Sequence, residues 1–398
     1  MKRKIFLAIL LILIASQIPF VYRRYRLRKL QAAIQQLATQ RSPVTPDNQY
    51  VDYKGVIHVH SFLGGHSTGT FTELIAAAKA NQLNFVIMTE HPQATFDTSA
   101  MTLNASHDGV VFINGNEVAT ANGDRLLLIP GMPDAATAGT RNTQDIIDDQ
   151  KRNGGLSFVA YPSESQKWQS STADGVEVYN LYSNAREIRP VVMFFDGLWS
   201  YRSYADLLFA NFFSRPEMNL RLWDAATAAN KQLVAIAGND AHSNVGLSLN
   251  DASGKQLVGL KLDPYERSFR VVRTHILIKQ GIELSRASIL EALSRGHCYL
   301  SFDLFADATG FSFSVNGSAA LMGDDIPFDA QSRFSVKTPV PARIVLLKNG
   351  SVVQQAMGAS AEFSPDGPGV YRVEAYLDAL PAPVIGRPWI ISNPIYLK

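Results

Sequence analysis

Short apolar runs that alternate with helical stretches predict an α/β fold for residues 51–303, and a change to short alternating strands after Leu304 predicts a small all-β, Ig-like sandwich over 304–398. A third observation, the uncharged run at 5–22, sets the amino terminus apart. The expected organisation is therefore a membrane anchor or signal segment at 1–30, a helical stalk and linker at 31–50, the α/β part and the sandwich.

The 398 residues, 46% hydrophobic and 18% charged, have the make-up of an ordinary globular protein with a sizeable core. The formal charge of +2 hides a division, because the first 30 residues hold eight basic side chains and no acid. The rest, with 29 basic and 35 acidic residues, carries −6, which argues against a nucleic-acid partner. As a helix the 18 residues of 5–22 would span roughly 27 Å, just enough for a membrane. Arg23, Arg24 and Arg26 follow at once and favour an uncleaved anchor. Positive charge flanks the run on both sides, so the positive-inside rule selects neither orientation, and the expectation adopted is a catalytic part outside the cytoplasm. The single Cys298 excludes an internal disulfide and, beside Tyr299 and Leu300, reads as an inert strand residue. Leu30, Ala33, Ile34 and Leu37 begin a helix that the prolines of the linker at 42–47 end.

The folded part opens with the strand that carries His58 and His60, which on a regular strand share one face. Gly64 and Gly65 then let the chain turn so that His66 returns toward the same cavity. A helix over 71–82 leads to a strand over 85–89 that ends in Glu90 and His91, and a strand over 110–113 closes on Glu117. Strands over 125–129, 156–161 and 176–179 follow, with a helix over 143–152. A long helical region at 186–231, dense in aromatics, can cover a site. The strand at 233–238 then runs into Asp240 and His242, and a strand at 275–279, a helix at 286–295 and a strand at 299–302 finish the region. Parallel β/α units bring the carboxyl ends of their strands to one mouth. Five of the eight histidines (His58, His60, His66, His91 and His242) fall at such ends or just after one. A core packed for stability alone has no reason to collect imidazoles and acids there.

Taken in order, His58-Val59-His60, His66 with Gly69-Thr70, Thr89-Glu90-His91, Gly115-Asn116-Glu117 and Gly238-Asn239-Asp240-Ala241-His242 resemble the motifs of the polymerase and histidinol phosphatase (PHP) superfamily of metal-dependent hydrolases. The resemblance covers about residues 53–302 and rests on the order of motifs that are weak singly. It implies a distorted (β/α)7 barrel with up to three metals in its mouth. It also implies one metal held by His58, His60, Glu117 and Asp240, and another by His66, His91 and His242, with Glu117 bridging to a further ion whose other ligands are histidines. The sequence departs from the pattern at Thr89-Glu90-His91, where Thr-Asp-His is usual, and at Ala160-Tyr161-Pro162, where the family has His-Pro. Neutral Tyr161 is a poor ligand, although Asp124 could contribute an oxygen where some relatives have His. Two divalent ions (Zn, Mn or Fe) are expected, and a third is weak or missing. The ending 388–396 resembles that of multi-domain PHP hydrolases with a sandwich tail, similar to carbaryl-type metallohydrolases.

Other polar residues have plainer readings. Glu90 would orient His58 or His60 through its free ring nitrogen. His107 is solvated, His297 caps a helix end, and His275 or Arg273, beginning a late strand near the mouth, could bind an anionic substrate. Lys167, Arg186 and Arg189 are available cations. Divalent metal lowers the pKa of water it holds, so hydrolysis is the implied chemistry, with Asp240 or Glu117 orienting the water and His242 or His91 positioning a second ion. A phosphoesterase on a small molecule is the leading expectation. Carbamate or carboxylic ester hydrolysis is the alternative, and a degenerate metal- or glycan-binding module displayed at a membrane is the reading of another class. Proofreading is disfavoured, since no polymerase-sized remainder exists.

Overall fold

The computed structural model describes residues 2–43, 49–165, 167–186, 189–229, 231–244, 246–250, 256–316 and 319–398. Of the linker expected at 42–47, residues 44–47 lie outside these, as does the side chain of the candidate cation Arg186. Helix α1 (Lys2–Ala38) runs unbroken for 37 residues, so no boundary separates anchor from stalk near residue 30. Its first part is long and apolar enough to cross a membrane, and none of that window is buried. Its second part packs, with Leu27, Leu30 and Leu37 on one helical face buried in the main core.

Then come β1 (Tyr50–Val59), α2 (Phe71–Ala80), β2 (Phe85–Met88), α3 (Thr98–Met101), β3 (Ala105–His107) and β4 (Val110–Ile113). Thr70 and Glu73 start α2 as a reciprocal capping box. β1 pairs with β2, and β2 with β4, in parallel. β5 (Asn116–Ala119), β6 (Arg125–Ile129), α4 (Thr143–Arg152) and β7 (Leu156–Ala160) break the all-parallel expectation, because β6 runs against both neighbours. Only residues 120–124 join β5 to β6, too short a connection for a crossover helix. Glu117 accordingly lies inside β5 and not at the end of the preceding strand.

β8 (Gly175–Asn180) and β9 (Val234–Ala241) restore parallel pairing between β7 and β8, β8 and β9, and β9 and β1. The single helical region expected between them divides into α5 (Leu181–Arg186), α6 (Pro190–Tyr204) and α7 (Glu217–Ala228), and α6 packs on α1 instead of covering the site. The result is a mixed α/β sheet that is not closed as a barrel. Among the described residues, the isolated bridge Glu90–Asn116 is the one strand-type link between the β2–β4 pair and β5.

A two-stranded ribbon, β10 (Gly246–Asn250) with β11 (Gln256–Lys261), precedes α8 (Tyr265–Val271), β12 (Arg273–Lys279), α9 (Arg286–Arg295) and β13 (Cys298–Ser301). The remainder is β14 (Ser312–Val315), β15 (Asp325–Ile326), β16 (Phe334–Lys348), β17 (Ser351–Phe363), β18 (Gly369–Tyr376), β19 (Pro388–Ser392) and β20 (Ile395–Leu397). The strands expected at 333–336 and 343–348 are one, β16, which turns into β17 through Asn349 and Gly350 at φ 49° and 81°. This β-rich part is not a separate sandwich. β19 pairs with both β18 and β13, making one continuous sheet with the α/β part. Arg372 on β18, 2% exposed, fixes it further by donating to both Asp224 carboxylate oxygens on α7, at 2.7 and 2.8 Å, and to Glu374 at 2.6 Å.

Candidate metal centre

His58 on β1 and His60 just after it do not converge by simple strand alternation. The register of β1 against both β2 and β9 shifts between Ile57 and Val59, and His58 at the shift has φ 66°. This bulge re-aims His58 so that its ring centroid lies 5.1 Å from that of His60. His58 Nε2 is then 3.2 Å from Glu117 Oε2 and 3.5 Å from Asp240 Oδ1, and His60 Nε2 is 3.4 Å from each of the same oxygens. Four ligands 2.0–2.1 Å from a tetrahedral ion would stand roughly 3.3 Å apart. All four side chains are buried. Both ring nitrogens of His60, and Asp240 Oδ1, have no hydrogen-bond partner, a rare condition for buried polar atoms and one that a cation would relieve. The set expected for the first metal is therefore brought together and can hold an ion.

The second expected set is altered. His60, His91 and His242 form the other ligand group, the His60 ring stacked between those of His91 and His242 at 4.5 and 4.3 Å. His66 is not a member. The 3-10 turn Phe62–Gly64 leaves it exposed at the rim, its ring edge-on to His91 at 5.2 Å. The two groups share His60, so they are not the independent pair of sites expected.

Glu177 escaped the sequence reading. Fully buried on β8, it places Oε1 2.6 Å from His58 Nδ1 and accepts from Asn180 Nδ2 at 3.1 Å. It therefore fills the orienting role expected of Glu90, which instead accepts from the Ser61 amide at 3.0 Å and the Thr102 hydroxyl at 2.7 Å and braces the loop after β1. A lone acid inside the apolar run Val176-Glu177-Val178-Tyr179 was the available signal. Gly238 admits it: a Cβ there would lie 1.5 Å from Glu177 Oε1.

Of the two candidates for a third ion, Asp124 joins no ligand group of His, Cys, Asp and Glu among the described residues, and the Tyr161 hydroxyl is engaged. Tyr161, at φ 50°, donates its hydroxyl to Asp240 Oδ2 at 2.5 Å. Asp124 accepts from the Thr143 hydroxyl at 2.7 Å, the Ser165 hydroxyl at 2.5 Å and the Trp168 amide at 3.2 Å, and so is spent on holding its loop. His275 and Arg273 are also corrected, since both are buried away from the mouth against Asp52 and Asp303. His297 meets Asp324 at 2.8 Å, while Gly296 makes the left-handed cap. Lys167 donates to the Asn122 carbonyl.

Burial brings His60 and His91 down to about 4, which leaves neutral rings with lone pairs to offer. Burial would do the same to His58, but the carboxylates of Glu177, Asp240 and Glu117 outweigh it and raise the group well above its ordinary value. Burial would push Glu117 up, yet His58 beside it prevails and holds the carboxyl at about 2; Asp240 is lowered for the same reasons. Burial and then Asp240 raise Tyr161, which stays a hydroxyl donor.

Of these groups His91, Glu117, Asp240 and Tyr161 line a pocket of about 260 Å³, with His58 and His60 beneath it, and the wall includes Arg125, also missed in sequence. Its Nη1 lies 3.2 Å from Glu117 Oε1, and its side chain remains 45% exposed. A larger cavity, about 520 Å³, lies between α1 and residues 201–207 and holds no ligand group among the described residues. Of the eight described non-glycine residues at positive φ, His58, Tyr161, Asp240 and Ser243 belong to this region, a concentration of backbone strain typical of functional sites.

No protein-family model matches the chain, and no curated protein matches it. Among solved structures, the crystal structure of PsfC from Pseudomonas syringae PB-5123 aligns with 63% of this chain and 92% of its own, at 11% identity and a TM-score of 0.39. A likeness of that degree carries no conclusion about fold or activity.

Proposed function

We propose that this chain is a metal-dependent hydrolase of PHP type acting on a small-molecule phosphate ester, held at a membrane through residues 5–22 with the site on the extracytoplasmic side. One observation supports this above the others: the buried group His58, His60, Glu117 and Asp240, with the His60 nitrogens and Asp240 Oδ1 unpartnered and His60 Nε2 3.4 Å from that oxygen. A divalent cation bound by these residues would supply Lewis acidity and make water a nucleophile at neutral pH. The chain supplies the rest. Glu117 and Asp240 stay ionised, Tyr161 fixes Asp240 through Oδ2 so that Oδ1 is left for the cluster, and Glu177 holds the His58 ring. Arg125 offers its outer nitrogens to the non-bridging oxygens of a phosphate, an anion suited to its fork. His242, held at Nδ1 by the Asp240 carbonyl at 2.9 Å, keeps Nε2 for ligand or substrate.

The test is elemental analysis of the full chain in detergent, followed by phosphate release from a panel of phosphomonoesters and phosphodiesters. The expected result is about one or more equivalents of divalent metal, with phosphate release lost on chelation and restored by metal. Aryl carbamate turnover without phosphate release would move the reading to the carbamate hydrolases, and a near-empty site silent on both would leave a degenerate binding module.

A further inference from the structure

Helix α6 carries a stripe that the folded part does not cover. Val191, Phe194 and Leu198, at i, i+3 and i+7, are 65%, 59% and 66% exposed, and Arg202 continues the same face. The neighbouring face of α6 packs on α1. Trp199 Nε1 donates to Gln17 Oε1 at 3.0 Å, the Phe195 ring meets Phe20 at 4.9 Å, and Arg23 grips Asp196 through Nε at 2.7 Å and Nη2 at 2.5 Å. Arg24 donates to the Ser203 hydroxyl. These contacts all fall between Gln17 and Arg24, about 10 Å of helix axis, where the uncharged run of α1 gives way to arginines.

We infer that α6 is an interfacial helix that lies in the lipid headgroup boundary beside α1 and presents Val191, Phe194 and Leu198 to acyl chains. A helix that crosses α1 where its apolar residues end sits at the depth of the water–lipid boundary whenever α1 spans a bilayer, so this inference rests on α1 being a membrane helix and not on the hydrolase reading. The residues at this level fit that depth. Tyr22, Tyr25, Trp199 and Tyr204 supply amphipathic rings, and the Arg23–Asp196 pair removes a net charge where burial in lipid would be costly. In water the stripe would be an apolar surface without a partner, whereas in the interface it adds a second attachment and stops the folded part from swinging about α1. The site lies close along the chain: Tyr182, whose ring is 5.9 Å from that of His242, precedes the first residue of α6 by eight positions.

The experiment uses the full chain in phosphatidylcholine–phosphatidylglycerol vesicles, with nitroxide labels at Phe194→Cys, Leu198→Cys and, as a further site against loss of folding, Val191→Cys. The native Cys298 is buried and does not label. Leu10→Cys and Val352→Cys give the lipid and water references. The expected result is that oxygen collides with the α6 labels several-fold more often, relative to a water-soluble nickel chelate, than with the label at position 352, approaching the ratio at position 10. An α6 ratio equal to that at 352, or a water-like ratio at position 10, would overturn the inference. So would spin–spin broadening at the α6 labels that vanishes on dilution with unlabelled chain, which would assign the stripe to a second copy.

Discussion

Two buried clusters of histidine and carboxylate lie in this molecule, and they differ in what they leave undone. At the mouth, His58, His60, Glu117 and Asp240 converge with three ring or carboxylate atoms unpartnered and with two of the four residues at positive φ. Around His275, among the described residues, no buried polar atom is left without a partner. Its Nδ1 meets Asp52 at 2.9 Å and its Nε2 meets Asp303 at 3.3 Å, while Asp52 also accepts from the Tyr299 hydroxyl and the Gly310 amide, and Asp303 from Arg273, Ser301 and the Ala308 amide. The same residue types therefore act as a staple in one place and as an incomplete shell in the other. Satisfaction of the lone pairs tells them apart, not composition or burial.

Removing a member should break the two in opposite ways. Asp240→Asn, which keeps shape and suits a backbone at φ 47°, is expected to abolish metal retention while leaving the melting temperature of the metal-free chain level or higher. Elemental analysis beside a thermal melt checks both halves. His275→Ala should do the reverse, keeping the metal and costing about 3–5 kcal/mol, because Asp52 and Asp303 lose a buried counter-charge. The staple should also titrate. Burial would lower His275, but Asp52 and Asp303 prevail and hold it up at about 9. A group raised in the folded state stabilises fully below its unfolded value near 6.5 and loses that contribution as pH climbs through 9, on the order of 3 kcal/mol. The melting temperature should accordingly fall between these pH values, and His275→Gln should flatten that segment of the profile.

How much of this could be read in the sequence follows from the reach of each signal. The strands that lead to His91, Asp240 and His242 show as apolar runs with polar ends, and His58, His60, Glu117 and Asp240 meet as expected because β1, β5 and β9 carry them to one place, although the bulge that aims His58 left no mark in the sequence. The exchange of His66 for His60 in the second group depends on the path of one 3-10 turn, which no periodicity encodes. The antiparallel course of β6 followed from a five-residue connection that was in plain view, whereas the joining of β19 to β13 is a pairing between distant segments that strand patterning leaves open. Glu177 and Arg125 give fainter signals than a histidine at a strand end. One is an acid hidden in an apolar strand and the other the exposed first residue of β6.

A smaller effect is expected where the incomplete shell borrows its orientation. Glu177→Gln keeps the volume beside Gly238 but weakens the hold on His58 Nδ1, and metal affinity should drop about 10–100-fold with little change in stability. Competition with a calibrated chelator gives the ratio. An unchanged affinity would mean that Glu177 belongs with the staple and that the line between the two clusters is drawn in the wrong place.

The smallest effect tests the position where a histidine was expected. Tyr161 meets the cluster through its hydroxyl on Asp240 Oδ2 and through its ring edge-on to His58 at 6.0 Å, so Tyr161→Phe, which keeps the ring, removes one hydrogen bond, worth about 1 kcal/mol, and no ligand. Metal content should stay as it is, and any loss in turnover should be a few-fold, since Asp240 is also approached by Asn180 Nδ2 at 3.4 Å. A fall in metal content on this change would make the phenol oxygen a ligand after all, against the high proton affinity that burial and Asp240 impose on it. Tyr161→His then sharpens the contrast. If the slot keeps the geometry of a metal position, the imidazole should raise the bound metal above that of the native chain, and if Tyr161 serves only to fix Asp240, the content should stay level.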